Sequence, residues 1–178
     1  MILLARHGET DHNVPPPRVQ GWIDVPLNAR GREQARALAE SVENVASVYS
    51  SQLARARETA EIVAGTLGLD VVVDERLAES NRGRWEGRLI PDIEREEPEL
   101  WAAWRRGGAG FRFPEGESLQ EHADRVAAAL QDIGRGPLPA LVVCHGGTIR
   151  CAFALQNPRG LDAFHELDVP NATRLELT

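Results

Sequence analysis

The chain contains no lysine: all 20 of its basic residues are arginine. That absence excludes Schiff-base and pyridoxal chemistry and any phosphate loop of the GxxxxGK kind, because each needs a lysine amine. Codon bias by itself accounts for arginine without lysine. Two cysteines, Cys144 and Cys151, are too few for a disulfide framework and suit a reducing compartment. Long apolar runs are missing too. The longest, such as Ala140 to Val143, falls far short of the ~18 residues that would suggest a membrane span. No apolar leader precedes Arg6 and His7, so the chain reads as cytoplasmic. Positive charge is outnumbered, with 27 Asp and Glu against 20 Arg and a net charge of −7. Such a chain is a poor non-specific partner for nucleic acid or membrane, and any anion it binds must meet locally concentrated arginine.

What is present is ordinary for a globular protein: 42% hydrophobic and 26% charged residues in a length of 178. That length fits one domain, residues 1–178, able to bury roughly 70% of its unfolded surface without staples. There is no repeat and no linker. Met1 to Ala5 reads as a buried strand and His7 to Pro26 as a long polar loop containing Pro15-Pro16-Pro17. Asn28 can cap a helix with the stripe Ala35, Leu38, Ala39 and Val42. Val45 to Tyr49 reads as a strand. Ser51 can cap the next helix, which Gly68 stops. Val71 to Val73 is a third strand, and helices are expected from about Pro91 to Arg106 and from Ser118 to Ile133. Leu141 to Cys144 is a fourth strand, followed by a helix from Gly147 to about Leu155, and Thr173 to Leu177 is a last strand. Strands alternating with helices predict an α/β three-layer sandwich with a mainly parallel central sheet flanked by helices. In such sheets ligands bind beyond the carboxyl ends of the strands.

The strand ends carry chemistry. The first runs into Arg6-His7-Gly8-Glu9-Thr10, the second through Ser50-Ser51 to Arg55, the third to Glu79, and the fourth into Cys144-His145-Gly146-Gly147. Two arginines, two histidines and one carboxylate on one edge describe a phosphate site. Arginine offers planar bidentate donors to phosphate oxygens, neutral imidazole can attack phosphorus, and the helix start at Gly146-Gly147 presents backbone N–H groups.

Arg6-His7-Gly8-Glu9-Thr10 resembles the Arg-His-Gly motif of the histidine phosphatase superfamily, the phosphoglycerate-mutase-like proteins. The resemblance continues through Asn13, Gln20-Gly21-Trp22, Pro26-Leu27, Arg55 and Glu79. It extends to Gly83, Glu86-Gly87, Gly116-Glu117-Ser118 and His145-Gly146. It implies that His7 is the nucleophile that becomes phosphohistidine. It implies that Arg6, Arg55 and His145 hold the phosphoryl oxygens and that Glu79 acts as general acid, then base. Asn13, Gly146, Gln20 and Gly21 would line the phosphate and substrate site. No metal and no other cofactor is expected, since Arg and His supply positive charge and Asp11-His12 beside His7 fits no standard ligand spacing.

Rival readings are available. Cys144 and Arg150 have the Cys-x5-Arg spacing of cysteine-dependent phosphatases, but Val143 and Cys151 stand where that pattern has His and Ser or Thr. A buried strand-end thiol is the better reading of Cys144. Within the resembling superfamily, mutases have Arg directly after the catalytic Glu and Tyr two residues beyond that Arg, where this chain has Ser80 and Arg82. They have Asn where it has Gly147, and they run longer. Hydrolysis of a small phosphate ester is therefore favoured over a cofactor-dependent mutase or a non-catalytic phosphate-binding protein. A cap-like insertion is expected at about 88–117, with Trp101 and Trp104 in the core and Phe111 and Phe113 facing substrate. Arg82 could meet a second acidic group. The chain is expected to act as a monomer or homodimer on a small-molecule phosphate ester. An α-ribazole phosphatase or a broad-specificity phosphatase would fit its size.

Overall fold

The computed structural model describes residues 1–177. Five strands form one sheet: β1 (Ile2–Arg6), β2 (Ser47–Ser50), β3 (Val71–Val73), β4 (Ala140–Cys144) and β5 (Arg174–Leu177). The order across the sheet is β3-β2-β4-β1-β5. All pairs are parallel except β1 with β5, the antiparallel edge. The expected sandwich is the observed one. Strand and helix bounds shift by a residue or two.

Alternation along β1 and β4 sorts the two faces. Leu3, Ala5, Leu141 and Val143 pack with Leu38, Ala39, Val42, Ala56, Ala60 and Val63, from helices α1 (Ala29–Ser41) and α2 (Ala54–Leu67) and the residue that ends α1. Leu4, Val142 and Cys144 pack on the other side with Ala123, Val126 and Ile149. Those residues belong to the helices over Leu119–Ile133 and Gly146–Gln156. A sheet buried on both faces explains why its central strands read as continuous apolar runs.

Asn28 caps α1 as expected, its side chain accepting from the N–H of Gly31 at 2.8 Å. Gly68 ends α2 in the left-handed region at φ 66. Ser51, however, is not the cap of α2; Leu53 holds that position and the Ser51 hydroxyl is used elsewhere. The single helix expected from Pro91 to Arg106 is two, α3 (Ile90–Glu96) and α4 (Pro98–Arg106). Pro98 has no N–H to continue the ladder and disfavours helical backbone at Glu97, which sits at φ −130, ψ 54. The two helices that follow are α5 (Leu119–Ile133), opened by a capping box between Ser118 and Glu121, and α6 (Gly146–Gln156).

Phe111 and Phe113 do not face substrate. Both are buried, and Phe113 packs against Trp85 and Trp104 at centroid distances of 5.8 and 4.8 Å. Apolar rings spaced by two around a turn covered this small aromatic core rather than a ligand. The 88–117 segment is tied to the long entry loop by Val19 N–H to Arg88 O at 3.0 Å and Ile90 N–H to Pro17 O at 2.9 Å. No helix among the described residues is long and apolar enough to cross a membrane.

Candidate active site

Sheet register brings the two His-Gly pairs together. Arg6 lies opposite Cys144 in the parallel β1–β4 pair, so His7 and His145 leave the sheet side by side. The His7 N–H donates to Cys144 O at 3.0 Å, and the two imidazole centroids are 5.2 Å apart. Gly8 follows because the chain turns tightly against the start of α1; a Cβ there would collide with the carbonyl of Gly31.

His7 Nδ1 lies 2.7 Å from Gly8 O. A carbonyl only accepts, so Nδ1 carries the proton and Nε2 keeps its lone pair. Burial, then the charges of Arg55 and Arg6 and the neighbouring His145, hold the ring well below its usual pKa, so it is neutral. His145 is neutral for the same reasons, burial first and Arg55 second. Its Nε2 is 2.7 Å from the hydroxyl of Ser51, and its Nδ1 is buried without a partner. Nε2 is the acceptor that the Ser51 hydroxyl proton meets, while Ser51 Oγ accepts from Leu53 N–H at 3.3 Å; with Nε2 accepting, the proton of the neutral ring is on Nδ1, which is a donor.

The two arginines are held without being neutralised. Arg6 donates to Val169 O at 2.6 Å; Arg55, on the first turn of α2, donates to Ile23 O at 2.9 Å and Gly21 O at 2.7 Å. Carbonyls fix the guanidinium planes and leave the charges available. Burial draws Arg55 down to about 10, still a cation at neutral pH. The Nε atoms of Arg6 and Arg55 are buried and have no partner, like Nδ1 of His145. Three buried donors with no acceptor from the protein are suited to an anion.

Glu79 follows the turn after β3. Its Oε2 accepts from Gly147 N–H at 3.0 Å and its Oε1 from Ser80 N–H at 2.8 Å. Arg82 stands 3.8 Å from Oε2. Desolvation would raise the carboxyl pKa, but Arg82 and the two N–H donors outweigh it and hold Glu79 well below the usual carboxylate range. In the free protein Glu79 is therefore a carboxylate. Its backbone is clamped from α5: Arg125 donates to the carbonyls of Ala78 at 2.7 Å and Glu79 at 2.8 Å, and is itself held by Glu117 at 2.7 Å.

A cavity of about 260 Å³ opens at this edge, lined by Arg6, His7, Asn13, Gln20, Gly21, Arg55, Glu79, Arg82 and Gly146, all expected from the sequence. His145 lies just behind the lining, against His7. The Oδ1 of Asn13 accepts from Thr10 N–H at 3.0 Å, which leaves its amide protons for a ligand. Arg18, His12 and Arg150 also line the cavity and were not assigned to the site from the sequence, nor was Ser51. Arg150 was signalled in the sequence by its spacing from Cys144 and by its place one turn after Gly147 on α6. Cys144 is buried at the strand end, where desolvation pushes its thiol pKa up, the opposite of an activated nucleophile.

Comparison with known proteins agrees with this geometry. Residues 2–178 match the histidine phosphatase superfamily (branch 1). The chain is 42% identical over 159 residues to the probable phosphoglycerate mutase GpmB of Escherichia coli K12, covering 84% of this chain and 71% of that one. Among solved structures, a mycobacterial glucosyl-3-phosphoglycerate phosphatase in complex with VO3 superimposes with a TM-score of 0.87 at 32% identity, covering 97% of this chain and 88% of that one. The α-ribazole phosphatase of Shigella flexneri does so with a TM-score of 0.82 at 28% identity, covering 97% and 87%. A neutral His7 with Nε2 free, beside buried arginines not spent on carboxylates, is the arrangement that goes with these matches, and the chain belongs to the histidine phosphatase superfamily, branch 1.

Proposed function

We propose that the protein is a metal-independent phosphomonoesterase acting on a small phosphorylated metabolite through a phosphohistidine. The observation that carries the reading is the trio of unpartnered buried donors, Arg6 Nε, Arg55 Nε and His145 Nδ1, around a neutral His7 whose Nε2 is free. In the first step a bond forms from His7 Nε2 to phosphorus as the ester P–O bond breaks, and the leaving oxygen takes a proton from Glu79. In the second, water attacks phosphorus, gives its proton to Glu79, and the P–N bond breaks. Because Glu79 starts as a carboxylate, the proton it donates arrives with the monoanionic form of the substrate. The arginines supply the positive charge that phosphoryl transfer needs at its oxygens, and neutral His145 adds a hydrogen-bond donor.

Phosphoglycerate mutase activity is the second reading, favoured by the name of the 42% identical relative. Against it, a Cβ at 147 would meet the Glu79 carboxylate, so the Asn that the mutase pattern places there requires Glu79 to sit elsewhere.

Incubation with 3-phosphoglycerate and a trace of 2,3-bisphosphoglycerate, in excess chelator, separates the two. Release of inorganic phosphate, with an acid-labile and alkali-stable phosphoenzyme, is the expected result. Formation of 2-phosphoglycerate without phosphate release would establish the mutase, and loss of activity that a divalent ion restores would overturn metal independence.

A further inference from the structure

The phosphoryl cradle uses two arginines, yet the cavity is lined by five: Arg6, Arg18, Arg55, Arg82 and Arg150, against the single carboxylate of Glu79. This occurs in a chain whose net charge is −7. A phosphate monoanion and the Glu79 carboxylate offset two of the five charges. Many arginines elsewhere are ion-paired, as in Arg76 with Asp74 at 2.7 Å and Arg88 with Glu97 at 2.5 Å. Arg150 has no ion pair among the described residues, and Arg82 has only Glu79, at 3.8 Å.

Of the three arginines outside the cradle, Arg18 is exposed and donates to Gly87 O at 2.8 Å, whereas Arg82 and Arg150 are built in rather than trailing in solvent. Arg82 donates from Nε to Ser80 Oγ at 3.1 Å, and its guanidinium lies over the rings of Trp104 and Phe113 at 5.2 and 5.3 Å. Arg150 donates from Nε to Leu167 O at 2.9 Å and lies 6.0 Å from the ring of Phe164. Each is anchored through Nε and an aromatic face, which leaves the terminal nitrogens for a ligand. Arg150 stands three residues beyond Gly147 on α6, about 4.5 Å of axial rise, the reach of a short carbon chain from the phosphoryl position. Gathering like charges in a partly desolvated pocket opposes folding, and a second anion on the ligand relieves it.

We infer that Arg82 and Arg150 form a second anion subsite, so that the preferred substrate is a phosphate ester carrying a further carboxylate or phosphate a few bonds from the scissile group. This deepens the phosphatase reading and rests on it for turnover.

Three matched probes test it: glycerol 3-phosphate, 3-phosphoglycerate, which adds a carboxylate, and glycerol 1,3-bisphosphate, which adds a phosphate. The wild-type enzyme should prefer one or both doubly acidic esters by roughly 10–100-fold in kcat/KM, the size expected of charge-assisted hydrogen bonds, expressed mainly in KM. Which ester wins tells carboxylate from phosphate. Arg150→Met and Arg82→Met should each reduce that preference ratio about tenfold, and Arg150→Lys should restore part of it. A wild-type ratio near one, or a ratio that neither variant changes, overturns the subsite. Calorimetric titration of His7→Ala with the same three esters reads recognition without turnover. If no ester is turned over but the binding preference persists, the phosphatase reading fails and the subsite stands; no preference in binding overturns the subsite.

Discussion

The backbone N–H of Gly147 donates to Glu79 Oε2 at 3.0 Å, and a side chain at 147 would occupy the space of that carboxylate. The residue after the second His-Gly step and the proposed proton donor are thus one mechanical unit. Gly147→Ala must displace Glu79. It should lower kcat on an alkyl phosphate by roughly 10²-fold or more, the range of a lost general acid, while an aryl phosphate with an acidic phenol loses much less. Steady-state kinetics on both esters checks this; equal losses would show that Glu79 only binds.

His7→Ala should abolish the phosphoenzyme and turnover, whereas Cys144→Ser should keep both. Cys144 is fully buried on β4 and its thiol is harder to ionise than a free one. The serine hydroxyl placed there costs about 1–3 kcal/mol of stability, read as a lower denaturation midpoint. A folded Cys144→Ser protein without activity would contradict the histidine assignment.

Arg125 does not itself line the cavity, but it holds the carbonyls of Ala78 and Glu79. It is a positioning residue. Arg125→Met should reduce kcat on alkyl phosphates several times more than on aryl phosphates, because a displaced Glu79 matters in proportion to the proton the leaving group needs. A purely structural loss would scale both substrates equally.

The pH dependence follows from two depressed pKa values. His7 is held below its usual imidazole value, so it remains an unprotonated nucleophile down to acid pH, and kcat/KM should fall only when pH drops through that lowered value. Glu79 is also depressed, so the free enzyme supplies no proton at neutral pH. The alkaline fall in kcat/KM should therefore follow the second ionisation of the phosphate ester, at about 6, rather than an enzyme group. Esters of different second pKa should shift that limb in step. A limb fixed across substrates would place the proton on the protein.

Much of this site was legible in the chain because its parts are local. A strand that runs into Arg6-His7-Gly8 or His145-Gly146 announces polar groups at a sheet edge, and α/β topology says that parallel strands deliver such ends to one place. Asn28, Gly68 and Ser118 mark helix ends by chemistry that acts within four residues.

The misreadings lie where long-range contacts outrank local signals. Ser51 has the composition of a helix cap, but its partner is His145, 94 positions away. Phe111 and Phe113, in a glycine-rich stretch, look exposed until Trp85 and Trp104 close over them. Sequence determined which residues could do phosphoryl chemistry and that they would share an edge. Only the tertiary structure decided which nitrogen of His7 is free, that Glu79 rests as a carboxylate, and that Arg150 faces the cavity. Those properties depend on which backbone groups and charges come within a few ångströms across the fold, and no periodicity along the chain encodes that.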